Sequence, residues 1–188
     1  MLQAPDEKTK WQVICEQAVF EHPHITVSME AIRLPDGQII PEWPRFYSGD
    51  FVNAVVLNKE KEVMILEGYQ HGLEASSWQV LGSHLEKDGE PYETIQQELL
   101  QMSGYQSDNW IYLGSFVVDA DHHGGVGHFF CALDAVQTAQ PENGPNLAQI
   151  RWVSLKDLHY ALLDGRIAGA SYAINAALTL LTLPRLSH

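Results

Sequence analysis

The segment from Leu81 to Tyr105, LGSHLEKDGEPYETIQQELLQMSGY, most constrains what this chain can fold into. A glycine-containing loop, Gly82 to Gly89, runs into a helix that Pro91 opens and Gly104 closes. Proline suits the first helical turn because its missing N–H would have no partner there. Glycine accepts the left-handed backbone just past the last turn. Ile95, Leu99 and Met102 recur at helical spacing, so one stripe of the helix can face a core. Glu98, Gln101 and Met102 stand at i, i+3 and i+4, and their side chains meet on one side. Three carboxylates at those positions would hold a divalent cation, and this chain offers one.

The 188 residues predict one domain with a sizeable core and a small appendage. A composition of 45% hydrophobic and 19% charged residues fits a soluble globular protein. The net charge of −13 disfavours nucleic acid as a partner, since phosphates are repelled and no basic block exists to release counterions. The opening MLQAPDEKTK lacks the apolar stretch of a signal peptide. No apolar run reaches the length of a membrane span, the longest candidate being AALTLLTLP. Cys15 and Cys131 are far apart and form no paired motif, which fits free thiols and a cytoplasmic setting.

Patterning predicts strands at His24 to Arg33, Asn53 to Leu57, Val63 to Tyr69, Ser77 to Val80, Trp110 to Val118, His128 to Leu133 and Gln149 to Val153. Helices are expected at Pro91 to Ser103, Leu155 to Asp164 and Ala170 to Leu181, with Ser154 capping the second and Gly165 closing it. Loops are expected at His122 to Gly127 and Gln137 to Asn146. Strands followed by helices alternating with strands imply an α+β or layered α/β domain. Residues 1–49 form few helical patterns and read as a separate β unit, leaving 50–188 as the main domain.

The loop-helix layout resembles the Nudix box. Counted back from Gly104, the family register puts Ser83 at the first glycine and Gly89 at the first glutamate. Gln97 falls at the arginine, Glu98 keeps its glutamate, and Gln101 and Met102 occupy the paired glutamates. A one-residue slide places Gly82 at the first glycine and Glu90 near the first glutamate, and restores no Glu-Glu. Chain-wide order, roughly Trp11 to Leu183, is similar to the ADP-ribose pyrophosphatase branch of the Nudix hydrolase superfamily. MEAIRLPDGQII resembles that branch's amino-terminal strand-turn-strand, and NAVVLNKEKEVMILEGYQHG its first core hairpin. The resemblance implies an α/β/α sandwich with a mixed β-sheet, a small N-terminal β unit and a homodimer built through that unit. It also implies magnesium or manganese as cofactor and a nucleotide or nucleoside-diphosphate-linked small molecule as ligand.

Several ligand-facing positions depart from the family. Residues expected to be arginine near the phosphates read Glu67 and Gln70. The carboxylate before the loop glycine is Gln79, the branch's marker proline falls at Ala120, and Gln149 stands where a late glutamate contributes. Magnesium takes oxygen ligands from carboxylates and substrate phosphates. Gln101 offers a neutral carbonyl oxygen, and Met102 a soft thioether that magnesium does not favour. Metal-dependent hydrolysis is therefore expected to be impaired or lost.

Two routes to rescue remain open. Glu86, Glu98 and Glu90 are candidates for a rearranged metal site, with Glu98 and Glu86 as catalytic groups; the other reading is a solvated helix start that favours acids. His122 and His123, grouped with Asp119, Asp121 and His128, are candidates for a transition-metal site or a general base; the other reading is an exposed loop. Glu67, Gln70, Ser83, His84, Gln97 and Gln101 complete the ligand-facing candidates. Three functions follow: a weakly active or rearranged nucleoside-diphosphate-sugar pyrophosphatase, a silent nucleotide-binding Nudix protein, and a scaffold homodimer.

Overall fold

The computed structural model describes residues 6, 8–141 and 148–186. Much of the expected Gln137 to Asn146 loop lies outside the described residues. The chain divides into two compact units, Met1–Gly49 with Val117–Val126, and Asp50–Phe116 with Gly127–His188. The first unit thus takes in a second segment, 117–126, beyond the amino-terminal stretch.

The first unit is built on β1 (Gln12–His22), β2 (Ile25–Arg33) and β3 (Ile39–Tyr47). β1 pairs β2 antiparallel from Gln12↔Arg33 to His22↔Ile25, and β2 pairs β3 antiparallel from Thr26↔Tyr47 to Arg33↔Ile39. The turn of the expected strand-turn-strand falls at Pro35-Asp36-Gly37, between β2 and β3. Gly37 takes a φ of 89°, and the Asp36 carboxylate accepts the Gln38 amide at 2.9 Å. β1 was not among the expected strands for a physical reason. All eleven of its residues are exposed, so neither face imposes the alternation that marks a half-buried strand.

The second unit holds β4 (Phe51–Asn58), β5 (Glu62–Gln70), β6 (Ala75–Gln79), β7 (Leu81–His84), α1 (Pro91–Ser103), β8 (Tyr105–Gln106), most of β9 (Asn109–Asp119) and β10 (His123–Gln137), β11 (Ala148–Ser154), α2 (Leu155–Leu163) and α3 (Ala170–Leu186). β4 lies parallel to β10, with Phe129↔Asn53 and Cys131↔Val55 in register, and antiparallel to β7. β5 pairs antiparallel with β4, β6 and β11. The sheet is therefore mixed.

Alternation along the central strands builds two cores. Val52, Ala54 and Val56 of β4 join Met64, Leu66 and Phe130 beneath Ile95 and Leu99 of α1. Val55 and Leu57 join Val63, Ile65 and Cys131 against Leu158 and Ala161 of α2 and Ala176 of α3. Helices thus cover both faces, as a sheet buried on both sides requires.

The expected caps are in place. Pro91 sits in the first turn of α1, and Gly104 closes it at φ 72° with its N–H donating to the Leu100 carbonyl at 2.7 Å. The Ser154 hydroxyl accepts the Asp157 amide at 3.0 Å at the start of α2. Among described residues no helix is long and apolar enough to cross a membrane.

Two measurements follow. A Cβ at position 104 would lie 2.1 Å from the Ala139 carbonyl oxygen as well as forcing a left-handed alanine. Gly104→Ala should cost about 2 kcal/mol or more of stability, read from a urea midpoint. Burial pushes the Cys131 thiol up to about 12, so it holds almost no thiolate at pH 8. Ellman's reagent should reach Cys131 only at the rate of unfolding.

Candidate functional site

The apolar stripe of α1 decides where its other side chains go. Ile95 and Leu99 are fully buried, and Met102 packs against the same cluster. The Met102 thioether is therefore part of the core's edge. Of the remaining box positions Glu98 is half-buried, while Gln97 and Gln101 are exposed. Glu86 and Glu90 lie exposed in the preceding loop and at the helix cap, where the Glu90 side chain makes no capping bond.

Among the described residues no three His, Cys, Asp or Glu side chains gather closely enough to hold a metal ion. Glu86, Glu90 and Glu98 do not form such a group. One carboxylate, one neutral amide and one thioether do not fit the all-oxygen shell that magnesium takes.

A Cβ on Gly82 would sit 2.3 Å from the Asn53 side-chain oxygen, and Asn53 is only 3% exposed. Position 82 therefore demands glycine on packing grounds, whereas Ser83 opposite Val52 keeps its side chain. His84 lies opposite Phe51 and is exposed.

On β5, Glu67 forms an ion pair with Arg151 of β11. Gln149 faces Glu67 directly and Arg151 stands two residues on, so the pair is the diagonal contact of an antiparallel ladder. The Nε2 atom of Gln70 is buried without a hydrogen-bond partner. Arg151 escaped sequence reasoning because its partner is 84 residues away and becomes visible only with the β5–β11 register.

The first unit contains a cavity of about 610 Å³. Trp11 and Trp43 form aromatic walls, edge to face at 5.4 Å between centroids. Arg45 reaches Glu30 at 3.0 Å, and the Glu30 side chain is 8% exposed. His122 stacks on Trp43 at 5.4 Å, and the Trp43 indole N–H donates to the Asp121 carbonyl at 3.2 Å.

Asp119 organises this segment. One of its carboxylate oxygens accepts the backbone N–H groups of Asp121 and His122, each at 2.9 Å. The other lies 3.1 Å from His122 Nδ1. These donors, the His122 backbone N–H first, hold the Asp119 carboxyl below the usual aspartate value.

The expected His122 to Gly127 loop is shorter than read, because β10 begins at His123 and pairs with Phe46. His122 and His123 point to different rings, His123 stacking on Tyr47 at 5.5 Å. His128 instead approaches Tyr112. The grouped histidines therefore form no common metal site. Trp11, Glu30, Arg45 and Asn53 were not singled out as site residues, since only strand pairing brings the first three together.

Comparison with known proteins places these features in a family. The NUDIX domain model matches residues 49–173. The chain is 24% identical over 153 residues to a methanol dehydrogenase activator of Bacillus methanolicus, covering 81% of this chain and 78% of that one. It is 23% identical over 172 residues to a CMP-5'-(N-acetyl-N-hydroxy-3-aminopropyl)phosphonate hydrolase of Streptomyces rubellomurinus, covering 88% and 80%. The crystal structure of an ADP compounds hydrolase superposes with a TM-score of 0.82 at 14% identity, covering 97% of this chain and 98% of that one. At that identity the superposition establishes the shared α+β fold.

A depressed carboxyl contributes stability above its unfolded pKa that is lost as pH falls through its folded pKa. The Asp119 carboxyl carbon should therefore titrate below the ordinary 3.8 by NMR. In His122→Ala, which keeps the backbone donor, the midpoint should rise only part of the way.

Proposed function

The chain belongs to the NUDIX domain family, and on that premise we propose that it binds a nucleotide-linked small molecule and hydrolyses it feebly or not at all. The observation that carries this reading is the acid set of α1, where Glu98 stands with Gln101 and Met102 at i+3 and i+4. Cleaving a phosphate anhydride needs an aimed water and cations that neutralise developing charge. Losing one preorganised group at a transition state costs about 3 kcal/mol, or about a hundredfold in rate. Two such losses multiply to about ten-thousandfold.

The ligand class draws support from two directions. Proteins similar to this chain are named for a CMP-linked phosphonate and for ADP compounds. The cavity of the first unit has two tryptophan walls, suited to the flat face of a nucleobase.

We read the molecule as a homodimer. β1 offers eleven exposed residues, with Val19 and Phe20 61% and 52% accessible, and a second copy is the partner that would cover them. The free state of Cys15 and Cys131 supports a reducing, cytoplasmic setting.

The deciding assay incubates the protein with ADP-ribose and CMP-linked substrates, with magnesium or manganese, and follows phosphate release after phosphatase treatment. Turnover within about tenfold of an ordinary enzyme's roughly 10 s⁻¹, abolished by Glu98→Gln, would defeat the reading. Gln101→Glu, at an exposed position, should raise manganese affinity measured by electron paramagnetic resonance. Adding Met102→Glu should raise it further at a cost in stability, since Met102 packs on the core. Unchanged manganese affinity in both variants would sink the assigned register.

A further inference from the structure

We infer that the cavity of the first unit selects a planar head group by its exocyclic N–H donors, that His122 Nε2 is the acceptor, and that Asp119 is the positioning residue that keeps this nitrogen bare. The inference deepens the nucleotide-linked reading above and rests on it.

The proton count sets the chemistry. An ionised carboxylate only accepts hydrogen bonds. Asp119 already takes two backbone N–H groups on one oxygen, and its second oxygen lies 3.1 Å from His122 Nδ1. The imidazole must therefore place its proton on Nδ1 to satisfy that contact. In the neutral ring Nε2 is then unprotonated and can only accept. The depressed Asp119 carboxyl agrees with an ionised partner. Trp43, stacked on the ring with planes 19° apart, fixes the imidazole's tilt. Among the described residues Nε2 has no hydrogen-bond partner, while His122 lines the cavity.

The remaining lining argues against an anionic head group. Glu30 and Asp121 bring two carboxylates, and the one cation, Arg45, is paired with Glu30 at 3.0 Å. The Trp43 N–H is committed to the Asp121 carbonyl. A phosphate would meet more negative than positive charge here. A flat ring carrying an exocyclic amine would meet tryptophan walls and acceptors. A ring with an oxo group at that position would oppose its lone pairs to Nε2, and would have to shift out of the amino base's pose to bring its ring N–H to that nitrogen.

The chemical class is thus an amino-bearing nucleobase, adenine or cytosine, over its oxo counterpart, hypoxanthine or uracil. An unmatched polar pair in a partly buried site costs about 1–3 kcal/mol, so the preference should be about tenfold or more.

The test titrates the full chain with AMP against IMP, and CMP against UMP, by isothermal calorimetry at pH 8. Long-range ¹H–¹⁵N spectra of the same sample read the His122 tautomer. The expected result is tighter binding of the amino member of at least one pair and a proton on His122 Nδ1. Asp119→Asn should mix the tautomers and shrink the preference to within about twofold. His122→Phe keeps a ring over Trp43 and should bind both members alike. Equal binding of amino and oxo bases by the wild type would overturn the selectivity while leaving the nucleotide reading intact. A proton on Nε2 in the wild type would overturn the role of Asp119. Binding of none of the four would overturn this inference together with the reading beneath it.

Discussion

Double-sided burial of β4 is the constraint on which the second unit depends. Val52, Ala54 and Val56 look toward α1, while Val55 and Leu57 look toward α2 and α3, each 3% exposed or less. A one-residue slip in its register would exchange the two sets and put Asn53 among the residues that meet Ile95 and Leu99. Parallel pairing with β10 cannot be made by a hairpin, so the intervening chain must travel out and back. That excursion is where the box loop and α1 reside. The segment that carries α1 is thus a by-product of satisfying both sides of one strand.

Within α1 the demands of folding and of phosphate chemistry fall on different residues. Ile95, Leu99, Pro91 and Gly104 serve the first, and Glu98, Gln101 and the loop acids would serve the second. Met102 belongs with the first group, since it packs against the same cluster. A flexible apolar side chain there gains by lying against the core.

Much of this architecture was legible in the sequence because burial writes periodicity into it. The bounds of α1, its proline and glycine punctuation, and the Ser154 cap all follow from local rules. β1 was not legible because a strand exposed on both faces has no period to detect. Site partners separated by strand crossings were equally hidden. Arg151 and Glu67 meet only through the β5–β11 ladder, and Trp43 and His122 meet across 79 residues of chain. The histidine group misled for a related reason. Neighbours in sequence were assigned to one site, yet three different aromatic side chains claim His122, His123 and His128.

The contact between Gly82 and Asn53 has a consequence for how such a protein can change. A bare α-carbon is required where β7 crosses a packed amide, whatever the neighbouring loop does for a living. Glu98 and Gln101, outside the packed cluster of α1, answer to no such requirement. The packing at Gly82 and the exposed face of α1 are thus constrained separately, so one can change while the other is kept.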